Sequence, residues 1–173
     1  MEEDVEIIEA KEKFNDRNFF AEKVKQNPVL LEWASSEIRD DKKIVLEAVT
    51  IDGGALEFAS DNLKDDKDVL LAAVKQAGWT CCYASERLKA DKDVLLTASK
   101  NDGQVLYFAS QELRDDKDVV LAAVAQNANA LNCVPEGLMN NRKFLIRLGA
   151  AIEHAKCNIR PAAVDESNPS MKM

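Results

Sequence analysis

Asp66-Lys67-Asp68-Val69-Leu70-Leu71-Ala72-Ala73-Val74-Lys75-Gln76 reads as a short helix that marks its own beginning. Asp66 suits the N-cap, where a carboxylate accepts hydrogen bonds from free backbone N–H groups. Asp68 complements the positive end of the helix dipole, and each effect contributes about 0.5–1 kcal/mol. Strong helix formers follow. The same opening recurs at Asp16, Asp41, Asp91, Asp116 and Asn141, so this helix, designated helix A, is written six times. Between the copies, Trp33, Phe58, Tyr83, Phe108 and Cys133 each stand 25 positions after the one before, as do Ile38, Leu63, Leu88, Leu113 and Leu138. Self-similarity at a period of this length marks a solenoid. The expected fold is all-α: a repeat solenoid of about six 25-residue units, each an αα pair completed by a 3₁₀-like turn.

Within helix A the columns are apolar almost all round. Ile44, Val69, Val94, Val119 and Phe144 form one, and Leu46, Leu71, Leu96, Leu121 and Ile146 another. A helix apolar on most sides must be covered on most sides, and stacked neighbours supply that cover. Ala48, Ala73, Ala98 and Ala123 keep one column small enough for close approach. Gly53, Gly78 and Gly103 then share a position held elsewhere by Pro28 and Ala128, as expected of a stop and turn between helices.

A second helix, B, is expected to follow, as in Ala55-Leu56-Glu57-Phe58-Ala59, with its Leu, Phe and Ala facing inward and the aromatic column stacked as core. The serine column Ser35, Ser60, Ser85 and Ser110 becomes Pro135 in the last copy, which sets the end of helix B there and limits it to about two turns. Ser85-Glu86-Arg87-Leu88-Lys89 reads as a tight or 3₁₀ turn whose Leu plugs the core before the next Asp cap. Residues 1–15 form the expected N-terminal capping segment, with Val5, Ile7, Ile8 and Phe14 as its apolar contacts. The repeats occupy 16–140, a C-terminal capping helix 141–158, and an aperiodic tail rich in Pro, Ser, Asp and Asn 159–173, which reads as disordered.

The 173 residues carry a net charge of −8, and nearly every repeat Lys lies within a few residues of an Asp. That disfavours nucleic acid, whose phosphates call for concentrated Lys and Arg, and an anionic membrane surface would repel the chain likewise. Acidic Glu2, Glu3, Asp4 and Glu6 follow Met1 in place of an apolar leader, and no stretch approaches the ~20 apolar residues of a membrane span. A cytoplasmic location is expected. Cys81, Cys82, Cys133 and Cys157 show no paired spacing and are expected as reduced thiols.

Asp115 to Val124, Asp-Asp-Lys-Asp-Val-Val-Leu-Ala-Ala-Val, joined to Leu106-Tyr107-Phe108-Ala109-Ser110-Gln111-Glu112-Leu113-Arg114, resembles the repeat of a family catalogued as domain of unknown function 4116. The resemblance covers roughly residues 16 to 149, and one family domain corresponds to about two of the units read here. It implies a helical repeat found in bacteria, intracellular pathogens among them, and in some protists, and it brings no catalytic residues. A setting as a secreted effector, or as an inhibitor of another effector, is what it implies for the cell. The last copy departs from the pattern at Val134, Pro135, Gly137 and Met139.

The single histidine, His154, lies three residues before Cys157, and a thiol nucleophile at Cys82 or Cys157 with His154 as base is the enzyme alternative. Catalysis and metal binding both ask for more partners than this spacing supplies, so no enzyme, metal or cofactor is expected. The Asp-Lys steps at Asp41/Lys42, Asp66/Lys67, Asp91/Lys92 and Asp116/Lys117 read as solvated caps and weak ion-pair ladders. More informative are the columns in which the copies disagree. One reads Val29, Gly54, Trp79, Gln104, Asn129, and the other Glu32, Glu57, Cys82, Tyr107, Asn132. Positions three apart share a helix face, so Trp79 with Cys82 and Gln104 with Tyr107 should form adjoining patches on consecutive layers. Trp and Tyr dominate binding hot spots. The candidate binding residues are therefore Trp79, Cys82, Gln104, Tyr107, Glu57 and Glu32, for a protein or peptide partner. A purely structural role within a larger assembly is the second alternative.

Overall fold

The computed structural model describes the backbone of residues 2–158, with side chains at 5–127 and 130–153. Six layers stack along one axis, opened by long helices at Arg17–Lys23, Lys42–Ile51, Lys67–Gln76, Lys92–Asn101, Lys117–Gln126 and Arg142–Asn158. A further helix, Glu2–Glu12, lies against the first layer, and there is no strand among the described residues. The capping chemistry is as the sequence dictates: the Asp66 carboxylate accepts from the N–H groups of Asp68 at 3.0 Å and Val69 at 3.2 Å, and Asp41, Asp91 and Asp116 do the same. The expected tail at 159–173 lies outside the described residues.

Two expectations exchange places. The segment read as helix B is a 3₁₀ helix in every copy, at Pro28–Trp33, Gly53–Phe58, Gly78–Tyr83, Gly103–Tyr107 and Ala128–Cys133. The segment read as a 3₁₀ turn is instead a single α turn, at Ser36–Arg39, Asp61–Lys64, Glu86–Lys89, Gln111–Arg114 and Glu136–Met139. The serine column decides the second point. Ser60 and Ser85 accept from the N–H three residues on, Leu63 and Leu88, both at 3.3 Å, which opens an α turn in each case. Pro135 holds the same N-cap position, so the last copy keeps the pattern despite its altered sequence.

The core runs continuously through the stack. Ile44, Val69, Val94, Val119 and Phe144 are buried, as are Ala48, Ala73, Ala98 and Ala123. Leu46, Leu71 and Leu96 are only partly buried, and Ile146 is exposed, so helix A is covered on fewer sides than its composition suggests. The N-terminal helix also departs from expectation. Ile7 and Ala10 pack inward, while Val5, Ile8 and Phe14 face solvent.

Gly53, Gly78 and Gly103 are buried, and none has positive φ, so they do not end helix A in the left-handed manner. The helices end instead on extended residues, Asp52, Ala77, Asp102 and Asn127. The glycines are needed for approach. A Cβ on Gly53 would stand 2.6 Å from the Ala73 carbonyl oxygen, and one on Gly78 2.6 Å from that of Ala98. Each glycine thus seats its 3₁₀ helix on the small column of the following layer's helix A.

Polar joints fix the register of the stack. The N–H of Ser60 donates to the Arg39 carbonyl at 3.0 Å and that of Ser85 to the Lys64 carbonyl at 3.3 Å. Their hydroxyls donate to Asp40 and Asp65 of the preceding layer. On the helix A side, Lys42 reaches Asp66 at 2.8 Å, Lys67 reaches Asp91 at 2.8 Å and Lys92 reaches Asp116 at 2.7 Å. Each lysine therefore binds the cap of the next helix. Partly exposed pairs of this kind contribute about 0–1 kcal/mol each, and their use is to set alignment.

Candidate functional site

The 3₁₀ helices lie side by side and make one ridge along the stack. A 3₁₀ helix repeats every three residues, so side chains three apart share a face. In Gly78–Tyr83 the residues Gly78, Thr80 and Cys81 are buried, Cys82 and Tyr83 are half-buried, and Trp79 alone is exposed. Thr80 is buried without cost because its hydroxyl donates to the Ala77 carbonyl at 2.8 Å.

Trp79 is 45% exposed and Tyr107 56% exposed. Gln104, Glu57 and Glu32 are exposed as well, and Cys82 is half-buried. The ridge thus holds all six candidate residues, though it does not draw them into one contact. Trp79 lies over the preceding layer, where its ring edge comes 3.5 Å from the place a Cβ on Gly54 would take. The indole therefore packs over Gly54 at ordinary contact distance. Its ring also meets Tyr83 edge to face, with centroids 5.8 Å apart. The Tyr83 hydroxyl donates to Glu57 Oε2 at 2.9 Å. Gly54, Glu57, Trp79 and Tyr83 therefore form one cluster across two layers.

Tyr107 belongs to a second cluster, reaching Cys133 and Asn132 of the layer after it; the bond with Cys133 pushes its pKa up. At the other end, Glu32 lines a groove of about 250 Å³ with Ile7, Asn27, Val29, Leu30 and Trp33. The Lys11 ammonium sits over the Trp33 ring, 4.0 Å from its centroid. A second groove of about 260 Å³ runs along the flank of the ridge, lined among others by Arg39, Glu57, Asp61 and Lys64.

The aromatic column does not stack as core. Trp33, Phe58 and Tyr83 are half-buried against the core, Phe108 is 38% exposed, and these rings do not touch from layer to layer among the described residues. Tyr83 is the residue that sequence reasoning missed as part of the surface. Its phenol was the available signal, since a tyrosine among phenylalanines needs a polar partner. Burial, followed by the Glu57 bond, pushes its pKa up to about 12.

Burial disfavours the thiolate form of Cys81 and Cys82. Burial raises the Cys81 pKa to about 11 and raises that of Cys82 against the opposing influence of Lys89. A reactive thiolate needs the opposite shift. The side chains of His154 and Cys157 lie outside the described residues. No group of three or more His, Cys, Asp or Glu suited to a metal occurs among the described residues, and no helix there is long and apolar enough to cross a membrane.

A regular stack of α and 3₁₀ elements carrying a variable outer ridge is a helical-repeat solenoid. The family model described as Domain of unknown function (DUF4116) matches residues 16–64, 41–89 and 91–139, together more than half of the sequence. The chain belongs to that family. Every match begins at an Asp cap and spans two layers, so the family's unit is a pair of the repeats described above. No curated protein and no solved structure gives a match.

Proposed function

We propose that the chain is a non-enzymatic protein-interaction module that binds a protein or peptide along the 3₁₀ ridge. The observation that carries this reading is the exposure of Trp79 and Tyr107, at 45% and 56%, in columns where other layers hold Val, Gly, Gln, Asn, Glu or Cys. The packing of the layers does not ask for aromatic rings there. Trp79 rests over Gly54, and Tyr83, itself bonded to Glu57, meets that ring edge to face, so the indole is supported from two sides. Rigid aromatic groups lose little freedom on binding, which is why such residues dominate hot spots. The setting implied by the family resemblance, an effector or an inhibitor of one, asks for the same chemistry.

The test is a selection of displayed peptides on the intact chain, followed by calorimetric titration of the selected binders against wild type, Trp79→Ala, Tyr107→Ala and the double variant. Each hot-spot truncation should weaken binding at least ~10-fold, with the melting temperature close to wild type. Binding that survives the double variant, or a large fall in its melting temperature, would return both rings to a structural role.

A further inference from the structure

The ends of the stack differ from its middle. In inner layers the positions that face the next layer are closed: Leu70 with Val74, and Val120 with Val124, are all 0% exposed. The same two columns arrive at Leu145 and Gly149 in the last helix. There Leu145 is 41% exposed, its neighbour Ile146 is 67% exposed, and among the described residues nothing comes within 4 Å of where a Cβ on Gly149 would stand. Exposed Arg142 and Lys143 sit three residues before Leu145 and Ile146, on the same helix face.

The opposite end carries the complementary character. Val5 and Ile8, three apart on the Glu2–Glu12 helix, are 63% and 57% exposed. Glu9 and Glu12 follow them by four positions, and Glu12 is exposed while Glu9 meets Lys13 at 2.9 Å. The Glu2–Glu12 helix as a whole holds six acidic residues against Lys11, so this end is apolar with an acidic border and the other apolar with a basic one.

We propose that a second copy of this chain seats its N-terminal helix on the open end of the last helix. Leu145 and Ile146 would close against Val5 and Ile8, while Arg142 and Lys143 meet Glu9 and Glu12. Charge decides between this arrangement and a two-fold dimer, because pairing either patch with itself brings like charges together. A join between two different patches leaves one of each free at the ends of any assembly, so growth continues by the same contact. This inference uses the ends of the stack alone and is independent of the ridge.

Sedimentation velocity on the full chain over a wide concentration range tests it. The average mass should rise with concentration past that of a dimer, and added salt should lower it. Two variants isolate the patches: Leu145→Gln with Ile146→Gln, and Val5→Gln with Ile8→Gln. All four side chains are exposed, Leu145 least at 41%, so both variants should melt close to wild type. Each alone should stay monomeric, and an equal mixture should stop at one-to-one pairs, since only one intact patch of each kind remains. A wild-type chain that stays monomeric at all concentrations would overturn the proposal. So would either variant that still dimerises alone, which would mean a two-fold contact through the surviving patch.

Discussion

At the scale of single residues, Gly53, Gly78 and Gly103 leave no room for a Cβ. A Cβ on Gly78 would meet the Ala98 carbonyl oxygen at 2.6 Å and Asp102 Cβ at 2.8 Å, contacts that only a shift of backbone relieves. Gly54 is different: the nearest atoms are Asp52 Oδ1 at 3.1 Å and the Trp79 ring at 3.5 Å, both on side chains. Gly78→Ala should therefore cost about 1–3 kcal/mol by forcing two layers apart. For a chain of this size that lowers the melting temperature by roughly 2–4 °C per kcal/mol, with Gly54→Ala well below it. Equal losses for the two variants in a thermal melt would show that the layers part freely. The glycine column was visible in the sequence, but its reason was not. A repeated Gly next to a helix end suggests left-handed backbone, and only the neighbouring layer shows that the missing atom matters for contact.

At the scale of elements, the long helices were legible because three signals agree over ten residues: an Asp cap, apolar periodicity and good helix formers. The two short segments of each unit were confused because six and four residues are too few to separate a period of 3.0 from one of 3.6. The aromatic column was misread for a related reason. Recurrence every 25 positions reports that layers repeat and says nothing about whether a position faces the axis or the solvent.

The caps of the long helices also make stability depend on pH. Burial works to raise the carboxyls of Asp66, Asp91 and Asp116, but the lysine of the preceding layer and two backbone N–H groups outweigh it and hold each below the ordinary 3.8. A carboxyl depressed in the folded state contributes stability that is complete above its unfolded value and is lost as pH falls through the folded one. The melting temperature should be level from neutral pH to about pH 5 and drop below about pH 4. Asp66→Asn combined with Asp91→Asn keeps two caps but loses their charge, so its fall with acid should be shallower in the same melts. An identical acid profile would place the titrating groups elsewhere.

At the scale of the whole molecule, each layer meets only its neighbours, so stability is a sum of layers and joints rather than of one core. End layers have one joint where inner layers have two. Amide hydrogen exchange should be slowest in Lys67–Gln76 and Lys92–Asn101 and faster in Arg17–Lys23 and in 142–153. Uniform protection along the chain would mean that it opens as a single unit. The general form of the stack could be read from the sequence because the period is unbroken. The partners across each joint were less apparent, since Tyr83 with Glu57 and Lys42 with Asp68 stand one residue off the period and follow from geometry.

The joints carry a consequence for how such a chain changes over time. Lysine to next cap and serine to previous carbonyl are the same transaction at successive boundaries, so a block cut from one cap to another and inserted elsewhere finds compatible ends waiting. Length becomes a quantity that duplication or deletion can adjust in whole steps, with the frame indifferent to the count. The outward side chains are then free to be rewritten one rung at a time, much as type is reset within an unchanged press.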